Sequence, residues 1–276
     1  MSHNAFENYS VLMSVYYKEK PEHLRQAIDS MLSQTVRTDD FVLVCDGPLT
    51  AELDLVVSEV LSKNEDIFNV VRLEKNCGLG KALETGLLEC KNELVARMDS
   101  DDISMPNRCE KELKVFAKKP DLSIVGCNIH EFSGNTENVV ATRKVPETHA
   151  EIVEFSKRRN PFNHMTVMFK KSDVLSCGNY QPFDRLEDYY LWVRMLIAKK
   201  QGYNIQDCLL FARVDKNMYA RRSGKEYVKS QRKLFRYMKD NNFISYGQYL
   251  RAVIERTIIS MVPNKMRQIA FVKLAR

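Results

Sequence analysis

The feature that most constrains this chain is a regular alternation of short apolar runs and amphipathic segments across its first 130 residues. Each apolar run has the length of a buried strand, and each segment that follows places apolar residues at helical spacing. Repeated strand–helix units of this length predict a mainly parallel sheet flanked by helices, an α/β architecture. The predicted strands are 9–15, 41–45, 70–73, 94–98 and 123–127, and the helices between them are 21–33, 50–61, 80–90 and one that Pro106 opens.

The pattern becomes less regular after about residue 130. A helix is predicted at 147–159, a strand at 164–169, a helix at 186–198 and a strand at 209–214. From residue 223 onward the apolar positions recur at helical spacing with few turn signals. We therefore predict one α/β body over residues 1–220, followed by a helical C-terminal extension over 221–276.

Charge separates these two parts of the chain. From residue 216 to the end there are fifteen Lys or Arg and three acidic residues, whereas the first 215 residues carry 27 basic and 33 acidic groups. A basic extension favours an anionic partner such as phospholipid head groups or a phosphate-bearing substrate, although a solvated helical surface has the same composition. Basic residues interleaved with aromatic ones are missing, so no nucleic-acid partner is expected.

Cysteine usage and hydropathy indicate the compartment. The seven cysteines are scattered singly, without a C-x-x-C pair, and their number is odd, so neither a zinc site nor a disulfide framework is predicted. No apolar stretch reaches the roughly eighteen residues of a membrane span. The first ten residues also lack the basic and apolar regions of a secretory signal. We therefore expect a cytoplasmic protein.

An acidic cluster directly follows the predicted strand 94–98. Asp99 and Asp101 are separated by one residue, and α/β sheets bind their ligands beyond the carboxyl ends of the strands. Two such carboxylates can share one hard divalent cation, Mg²⁺ or Mn²⁺, with phosphate oxygens completing the coordination. The alternative is an acidic cap on the helix that begins near Pro106.

Other polar residues lie at comparable positions. Asp46 ends the second strand, where its carboxylate can accept hydrogen bonds from a base or ribose, or simply form a turn. The loop 76–82 joins the third strand to its helix but matches neither a Walker loop nor a dinucleotide fingerprint. Glu187 and Asp188 begin a predicted helix, where helix polarity stabilises carboxylates whether or not they are catalytic.

Taken in this order, these segments resemble a family 2 glycosyltransferase, the large inverting family with the GT-A fold, and the chain is similar to its capsular and exopolysaccharide-synthesis members. The resemblance spans roughly residues 10–222. The matching segments are Ser14-Val15-Tyr16, Ala27-Ile28-Asp29-Ser30, Gln34-Thr35, Asp46-Gly47, Asn76-Cys77-Gly78-Leu79-Gly80-Lys81-Ala82, Ala96-Arg97-Met98-Asp99-Ser100-Asp101-Asp102, Asn163-His164-Met165-Thr166-Val167-Met168-Phe169, Gly178-Asn179-Tyr180 and Glu187-Asp188-Tyr189-Tyr190-Leu191-Trp192.

The resemblance implies a nucleotide-binding half at about 8–130 and an acceptor half at about 131–220. In the first half Val15 and Tyr16 would line the nucleotide pocket, Asp46 would contact the base, and Lys81 would lie at the nucleotide-sugar. Asp99 would approach the ribose or the metal, and Asp101 would hold Mn²⁺ or Mg²⁺ at the diphosphate. The donor implied is a nucleotide-sugar, with UDP as the nucleotide.

In the acceptor half the resemblance implies that Asp188 is the general base. His164 and Glu187 would contact the acceptor or the donor sugar, although a single histidine can equally be structural. Arg221 with Arg222 could hold a diphosphate on donor or acceptor, or simply form a surface cluster. The acceptor implied is a saccharide, including one linked to a lipid, with peripheral contact between the basic extension and the inner face of the cell membrane.

The chain departs from the family pattern in two places. Pro48 follows Asp46-Gly47 where many relatives have a second acidic residue, and the Gln-x-x-Arg-Trp segment of polymerising synthases is missing. Single transfers are therefore expected rather than processive synthesis. A sugar nucleotidyltransferase would share the body and the metal, and a glycoside hydrolase would also use two carboxylates, so both remain alternatives.

Overall fold

The computed structural model describes residues 6–214 and 225–261, which form a nine-stranded sheet with helices packed on both faces. The strands are β1 (Tyr9–Val15), β2 (Asp40–Cys45), β3 (Phe68–Arg72), β4 (Leu94–Asp99), β5 (Ile103–Ser104), β6 (Leu122–Phe132), β7 (Val139–Arg143), β8 (Met168–Lys170) and β9 (Gln201–Arg213). The helices are α1 (Pro21–Leu32), α2 (Ala51–Lys63), α3 (Leu79–Glu89), α4 (Arg108–Lys118), α5 (His149–Ser156), α6 (Lys171–Ser176), α7 (Glu187–Ile197), α8 (Lys225–Asp240) and α9 (Tyr246–Met261).

The strand order is β3-β2-β1-β4-β8-β6-β9-β5, and β7 pairs with β6 outside this path. The first four strands in this order are parallel, as the strand–helix alternation predicts. Strand β8 is antiparallel to both β4 and β6, and it joins the parallel half to the β6–β9 pair. This mainly parallel sheet, flanked by helices, confirms the predicted α/β class.

The core lies on the two faces of the sheet because side chains alternate along each strand. On β1, Val11 and Met13 pack with α1, α2 and α4, whereas Leu12 packs on the opposite face with α3 and α7. Helix α3 approaches that face closely: a Cβ on Gly86 would lie 2.5 Å from a Val44 methyl carbon. The predicted core residue Trp192 is fully buried in the second cluster.

Residues 164–169 were predicted as one strand, and the structure shows this to be wrong. His164–Thr166 form a 3-10 turn, and β8 begins only at Met168. The turn forms because both the backbone N–H and the hydroxyl of Thr166 donate to the Asn163 carbonyl, at 2.9 and 2.8 Å. Such local side-chain bonds compete with strand pairing and are not visible in hydropathy.

Other differences concern the ends of elements and the short strands. Helix α5 is shorter than the predicted 147–159 because a capping box of Thr148 and Glu151 sets its start. The predicted strand 209–214 is the end of the longer β9, and α4 begins two residues after Pro106. Strands β5 and β7 carry no alternating apolar pattern and were not predicted.

The two described C-terminal helices pack on α7. Leu234, Phe235 and Met238 of α8 are buried against Tyr189 and Val193, so the extension contacts the helix that carries the predicted base. The predicted boundary near residue 220 falls in 215–224, outside the described residues. Among the described residues, no helix combines the length and apolar character that crossing a bilayer requires.

Candidate active site

The predicted acidic cluster lies at the carboxyl end of β4, beside the end of β1. Asp99 is the last residue of β4 and pairs in register with Ser14. The chain turns immediately afterwards, so the carboxylate oxygens of Asp99, Asp101 and Asp102 come within 4.8 Å of one another. Sequence reasoning assigned Asp99 and Asp101 to the metal, and the geometry adds Asp102.

Crowding and burial make these carboxylates costly to ionise together. Burial, followed by the negative charges of Asp99 and Glu19, raises the pKa of Asp101 to about 7. Burial also raises the pKa of Asp102, with Asp101 and Asp99 adding to the effect. Asp102 Oδ1 accepts a hydrogen bond from the Arg213 backbone N–H at 2.7 Å, while its buried Oδ2 has no partner among the described residues.

This donor set fits a hard divalent cation. It consists of oxygen ligands, it concentrates negative charge at one strand end, and it leaves a buried carboxylate oxygen unsatisfied. Mg²⁺ and Mn²⁺ prefer such oxygen donors, and a bound dication would favour the ionised form of all three acids.

The buried cation next to these acids is Arg97. It precedes Asp99 by two residues on β4, so the two side chains project from the same face of the sheet. Its Nη1 forms an ion pair with Asp99 without hydrogen-bond alignment, and its Nε has no hydrogen bond to any described residue. The positive charge of Arg97 partly offsets the burial that raises the pKa of Asp101 and of Glu187.

A second strand end is organised by Asp46. Its two carboxylate oxygens accept the backbone N–H groups of Cys77 and Gly78, at 2.7 and 3.0 Å. Gly47 has φ +86°, and a Cβ there would lie 2.5 Å from the Asn76 nitrogen, so only glycine fits this approach. Asp46 therefore holds the loop before α3 in place, and its predicted contact with a base stays a prediction.

The other predicted nucleotide contacts differ in exposure. Tyr16 is 37% exposed at the end of β1 and meets Tyr17 edge to face, with ring centroids 5.7 Å apart. Val15 is buried in the core, where its carbonyl accepts the Asp46 N–H at 2.8 Å. The Lys81 ammonium is 2.8 Å from Glu84 on the same helix. Of these three side chains, Tyr16 and Lys81 are therefore exposed to a ligand, whereas Val15 is not.

Glu187 and Asp188 form the first turn of α7, as predicted. Asp188 Oδ2 accepts a 2.6 Å hydrogen bond from the Asn160 side chain, and its Oδ1 accepts the Tyr189 N–H at 2.7 Å. Burial and the neighbouring charge of Asp188 raise the pKa of Glu187 to about 7. A Cβ on Gly80 would lie 3.3 Å from the Glu187 Cβ, so the beginnings of α3 and α7 are in close contact.

His164 contacts aromatic residues of the core. Its Nε2 is 3.0 Å from the Tyr180 hydroxyl, and its ring packs near Trp192. Burial, with a smaller contribution from the charge of Arg97, lowers the pKa of His164 well below its ordinary value. The imidazole is therefore neutral, and its predicted contact with a sugar stays a prediction.

Charges from both groups of acids act on the same buried side chain, and the charge of Asp99 also acts on Glu187. Burial raises the pKa of Tyr180, and the nearby charges of Asp188, Glu187 and Asp99 contribute to the same increase. Arg97 influences the acids on both sides as well. The predicted contacts Arg221 and Arg222 lie outside the described residues.

Besides Asp102 and Asn160, three functional candidates were missed by sequence reasoning. Arg97 could have been noticed as a charged residue inside an otherwise apolar strand. Glu19, whose carboxylate accepts the Ser100 hydroxyl at 3.2 Å, gave no such signal. Arg213 also gave none, although its Nε donates to the Asp101 carbonyl at 2.9 Å. Their roles arise from contacts between residues distant in the chain.

Comparison with known families identifies the class of protein. The family model described as "Glycosyl transferase family 2" matches residues 10–175. Because this is more than half of the chain, the protein belongs to glycosyl transferase family 2, and it is a glycosyltransferase with the GT-A fold. Membership favours sugar transfer over the nucleotidyltransferase and hydrolase alternatives.

Two curated relatives match nearly the whole chain. The amylovoran biosynthesis glycosyltransferase AmsE of Erwinia amylovora is 37% identical over 268 residues, which are 96% of this chain and 98% of the relative. An Escherichia coli protein named UDP-Gal:alpha-D-GlcNAc-diphosphoundecaprenol beta-1,3-galactosyltransferase is 36% identical over 270 residues, which are 97% of this chain and 96% of the relative.

Solved structures match in fold at lower identity. Staphylococcus aureus TarS 1–349 in complex with UDP-GlcNAc has a TM-score of 0.66 at 16% identity, covering 91% of this chain and 71% of that chain. Mannosyltransferase PcManGT from Pyrobaculum calidifontis, in complex with GDP-Man and Mn²⁺, has a TM-score of 0.66 at 14% identity, covering 99% of this chain and 81% of that chain. At these identities the likeness establishes the fold alone.

Proposed function

We propose that this glycosyltransferase moves one sugar from a UDP-sugar to a hydroxyl of a lipid-linked saccharide by a single inverting displacement. Asp188 takes the proton from the acceptor hydroxyl while the hydroxyl oxygen forms a bond to the anomeric carbon. The bond from that carbon to the β-phosphate oxygen breaks, and UDP leaves with the electron pair. One carboxylate acting once predicts that the anomeric configuration inverts.

The observation that carries this proposal is the arrangement of acids around Arg97 and Tyr180. Asp99 and Asp101 belong to the β4 turn, and Glu187 and Asp188 belong to α7. The charges of Asp99, Glu187 and Asp188 all act on Tyr180, and the charge of Arg97 acts on Asp101 and Glu187. A displacement needs negative charge stabilised at the leaving group and a base at the attacking hydroxyl. Two groups of acids beside one site can serve these two purposes.

Asp99, Asp101 and Asp102 would hold a divalent cation, Mg²⁺ or Mn²⁺, which neutralises the charge that develops on the departing diphosphate. Other residues of the chain order the site before substrates bind. The ordered loop 76–78 presents backbone to the donor, and Asn160 orients the Asp188 carboxylate by a 2.6 Å hydrogen bond. A base aligned in this way typically contributes about 10² to 10⁴ in rate.

The names of the relatives support the substrate classes. The E. coli relative is named for a UDP-sugar donor and a diphosphoundecaprenol-linked sugar acceptor, and AmsE is named for polysaccharide biosynthesis. Both match along nearly the whole of this chain. We infer the same classes of donor and acceptor here, in the assembly of a surface polysaccharide such as a capsule.

A screen of nucleotide sugars tests the proposal. The purified enzyme is incubated with each donor, Mn²⁺ or Mg²⁺ and a GlcNAc-α-diphosphoalkyl acceptor, with Asp101→Ala and Asp188→Ala as controls. We expect metal-dependent transfer from a UDP-sugar that both substitutions abolish, with an inverted anomeric signal in the proton NMR spectrum of the product. Undiminished transfer by Asp188→Ala would refute the base assignment.

We also propose that α9 contacts the inner face of the cell membrane. Tyr246, Leu250 and Ile254 are exposed at four-residue spacing, which forms one apolar stripe, and residues 225–276 carry twelve Lys or Arg against three acids. At low salt, the wild type should sediment together with anionic phosphatidylglycerol vesicles. The double substitution Leu250→Ser and Ile254→Ser should weaken binding, and a wild type that stays in the supernatant would exclude this contact.

A further inference from the structure

Three arginines meet at the end of α5. Arg158 and Arg159 follow the last turn of that helix, and Arg256 reaches them from α9. The Nη2 of Arg256 donates a hydrogen bond to the Arg158 carbonyl at 2.8 Å. This contact fixes the third guanidinium beside the chain segment that carries the other two.

Their positive charges are only partly compensated, since Glu154, which interacts with Arg158, is already paired with Lys157. Partial burial, and next the charge of Arg256, lower the pKa of Arg159, and only Glu255 acts in the opposite sense. The Glu255 carboxylate is 2.7 Å from Arg251 and so is already engaged. Within the described parts of the chain, the side chains of Arg158 and Arg159 form no hydrogen bond or ion pair. The guanidinium groups of Arg159 and Arg256, whose charges act on each other, would gain from an anion that bridges them.

The arginine cluster is bonded to the first turn of α7. Asn160, the residue after Arg159, donates to the Asp188 carboxylate at 2.6 Å. The Tyr189 hydroxyl donates to the Ser156 carbonyl at 2.5 Å. Two hydrogen bonds therefore tie the segment that carries Arg158 and Arg159 to the residues at the proposed base. An anion bound by the cluster would lie beside the segment that positions Asp188.

We propose that Arg158, Arg159 and Arg256 bind the diphosphate of the lipid-linked acceptor while the hydroxyl of its sugar faces Asp188. This assignment rests on the proposed function, since it takes the acceptor to be a sugar diphospholipid. The planar guanidinium matches phosphate oxygens in a bidentate manner, whereas a neutral acceptor would leave the cluster without a ligand.

Calorimetric titration with undecyl diphosphate tests this subsite in the full-length protein, with saturating UDP and Mn²⁺ occupying the donor site. The variants are Arg159→Gln and Arg256→Gln, and the matched control is Lys229→Gln, an exposed lysine on α8 paired with Glu226. We expect each cluster variant to bind at least about tenfold more weakly, the loss typical of one charge-assisted hydrogen bond. The control should bind within about twofold of wild type.

Each contrary outcome has a distinct meaning. If the wild type binds undecyl diphosphate and the cluster variants bind it equally well, the subsite is wrong and the proposed function stands. If the wild type transfers sugar to neutral alkyl glycosides but binds no diphosphate, the lipid-diphosphate acceptor itself is wrong. If the substitutions weaken binding to phosphatidylglycerol vesicles as much as to undecyl diphosphate, the arginines contact membrane phosphates and the assignment to the acceptor fails.

Steady-state kinetics provide a second test on the same variants. With a GlcNAc-α-diphosphoalkyl acceptor, we expect Arg159→Gln to raise the acceptor KM by about tenfold and to leave the KM for the UDP-sugar unchanged. With a neutral alkyl GlcNAc acceptor, the variant and the wild type should behave alike. A donor KM that increases in parallel would contradict the assignment to the acceptor.

Discussion

The acidic turn after β4 and the acidic start of α7 carry similar residues but are built differently. Asp99 and its neighbours take their positions from a strand end, and the backbone of β9 supplies a hydrogen bond to Asp102. Asp188 is instead held by the Asn160 side chain, from a segment 28 residues earlier. The first arrangement follows from local sequence, whereas the second depends on tertiary packing.

This difference separates the expected effects of substitutions. Changes at the β4 turn should affect donor and metal binding, whereas changes at α7 should affect the chemical step and the acceptor. Arg97 links the two regions because its charge acts on acids in both. A substitution in one region that impairs metal and donor binding and the chemical step equally would show that the two regions are not functionally distinct.

The largest effect is expected for Asp188→Asn. Removal of the general base should reduce kcat by about 10² to 10⁴, because the acceptor hydroxyl then loses its proton acceptor. The affinity for the UDP-sugar, measured by calorimetry, should change less than about twofold. Asp184→Asn, an exposed acid just before α7, is the control and should retain wild-type kcat. A comparable loss of kcat in Asp184→Asn would show that the effect of Asp188→Asn is not specific to the proposed base.

Asp101→Asn tests metal binding at the β4 turn. Loss of this carboxylate should weaken Mn²⁺ binding by at least about 10- to 100-fold, the loss seen even for residues that only support metal ligands. A Mn²⁺ titration in which electron paramagnetic resonance detects the free ion measures this affinity directly. The exposed Asp121→Asn is the control. Unchanged Mn²⁺ affinity in Asp101→Asn would exclude the β4 turn as the metal site.

The pH dependence should distinguish the metal-free from the metal-loaded protein. Because the pKa of Asp101 is raised from 3.8 to about 7, the folded state binds this proton more tightly than the unfolded state. The free energy of unfolding of the metal-free protein should therefore decrease as pH rises through that interval. Mn²⁺ requires the ionised carboxylate, so its affinity should increase about tenfold per pH unit below about 7.

Chemical denaturation and Mn²⁺ titration between pH 5 and 8 check this prediction. In Asp101→Asn the part of the pH dependence that belongs to Asp101 should disappear, and the part that arises from Glu187, whose pKa is also about 7, should remain. If the free energy of unfolding of the metal-free wild type increases between pH 5 and 8, the change has the opposite sign and contradicts this prediction.

The smallest effect on the reaction is expected for Gly47→Ala. A Cβ at this positive φ would approach the Asn76 nitrogen to 2.5 Å and disturb the loop that Asp46 holds. Such strain typically costs about 1 to 3 kcal/mol, which urea denaturation would measure. Binding of the UDP-sugar should weaken while Mn²⁺ affinity is retained. If Gly47→Ala changes neither stability nor UDP-sugar affinity, the loop has no part in donor binding.

The parallel half was predictable because each of its strands is an apolar run followed by an amphipathic helix. The four parallel strands β1–β4 lie within two residues of their predicted bounds. The turn at His164 and strands β5 and β7 were not predictable, since side-chain hydrogen bonds and sheet edges determine them. The acids at both regions were identified from motifs, but Arg97 and Asn160 acquire their roles only through tertiary contacts.

The proposed reaction requires one cleft that holds a cation-binding turn and a base on opposite sides of the anomeric carbon. A crystal structure of Asp188→Asn with Mn²⁺ and an intact UDP-sugar tests this most directly, with anomalous scattering locating the ion. We expect the ion at the carboxylates of Asp99 and Asp101, and the anomeric carbon between the diphosphate and residue 188. An ion bound elsewhere, or a residue 188 remote from the sugar, would contradict the account.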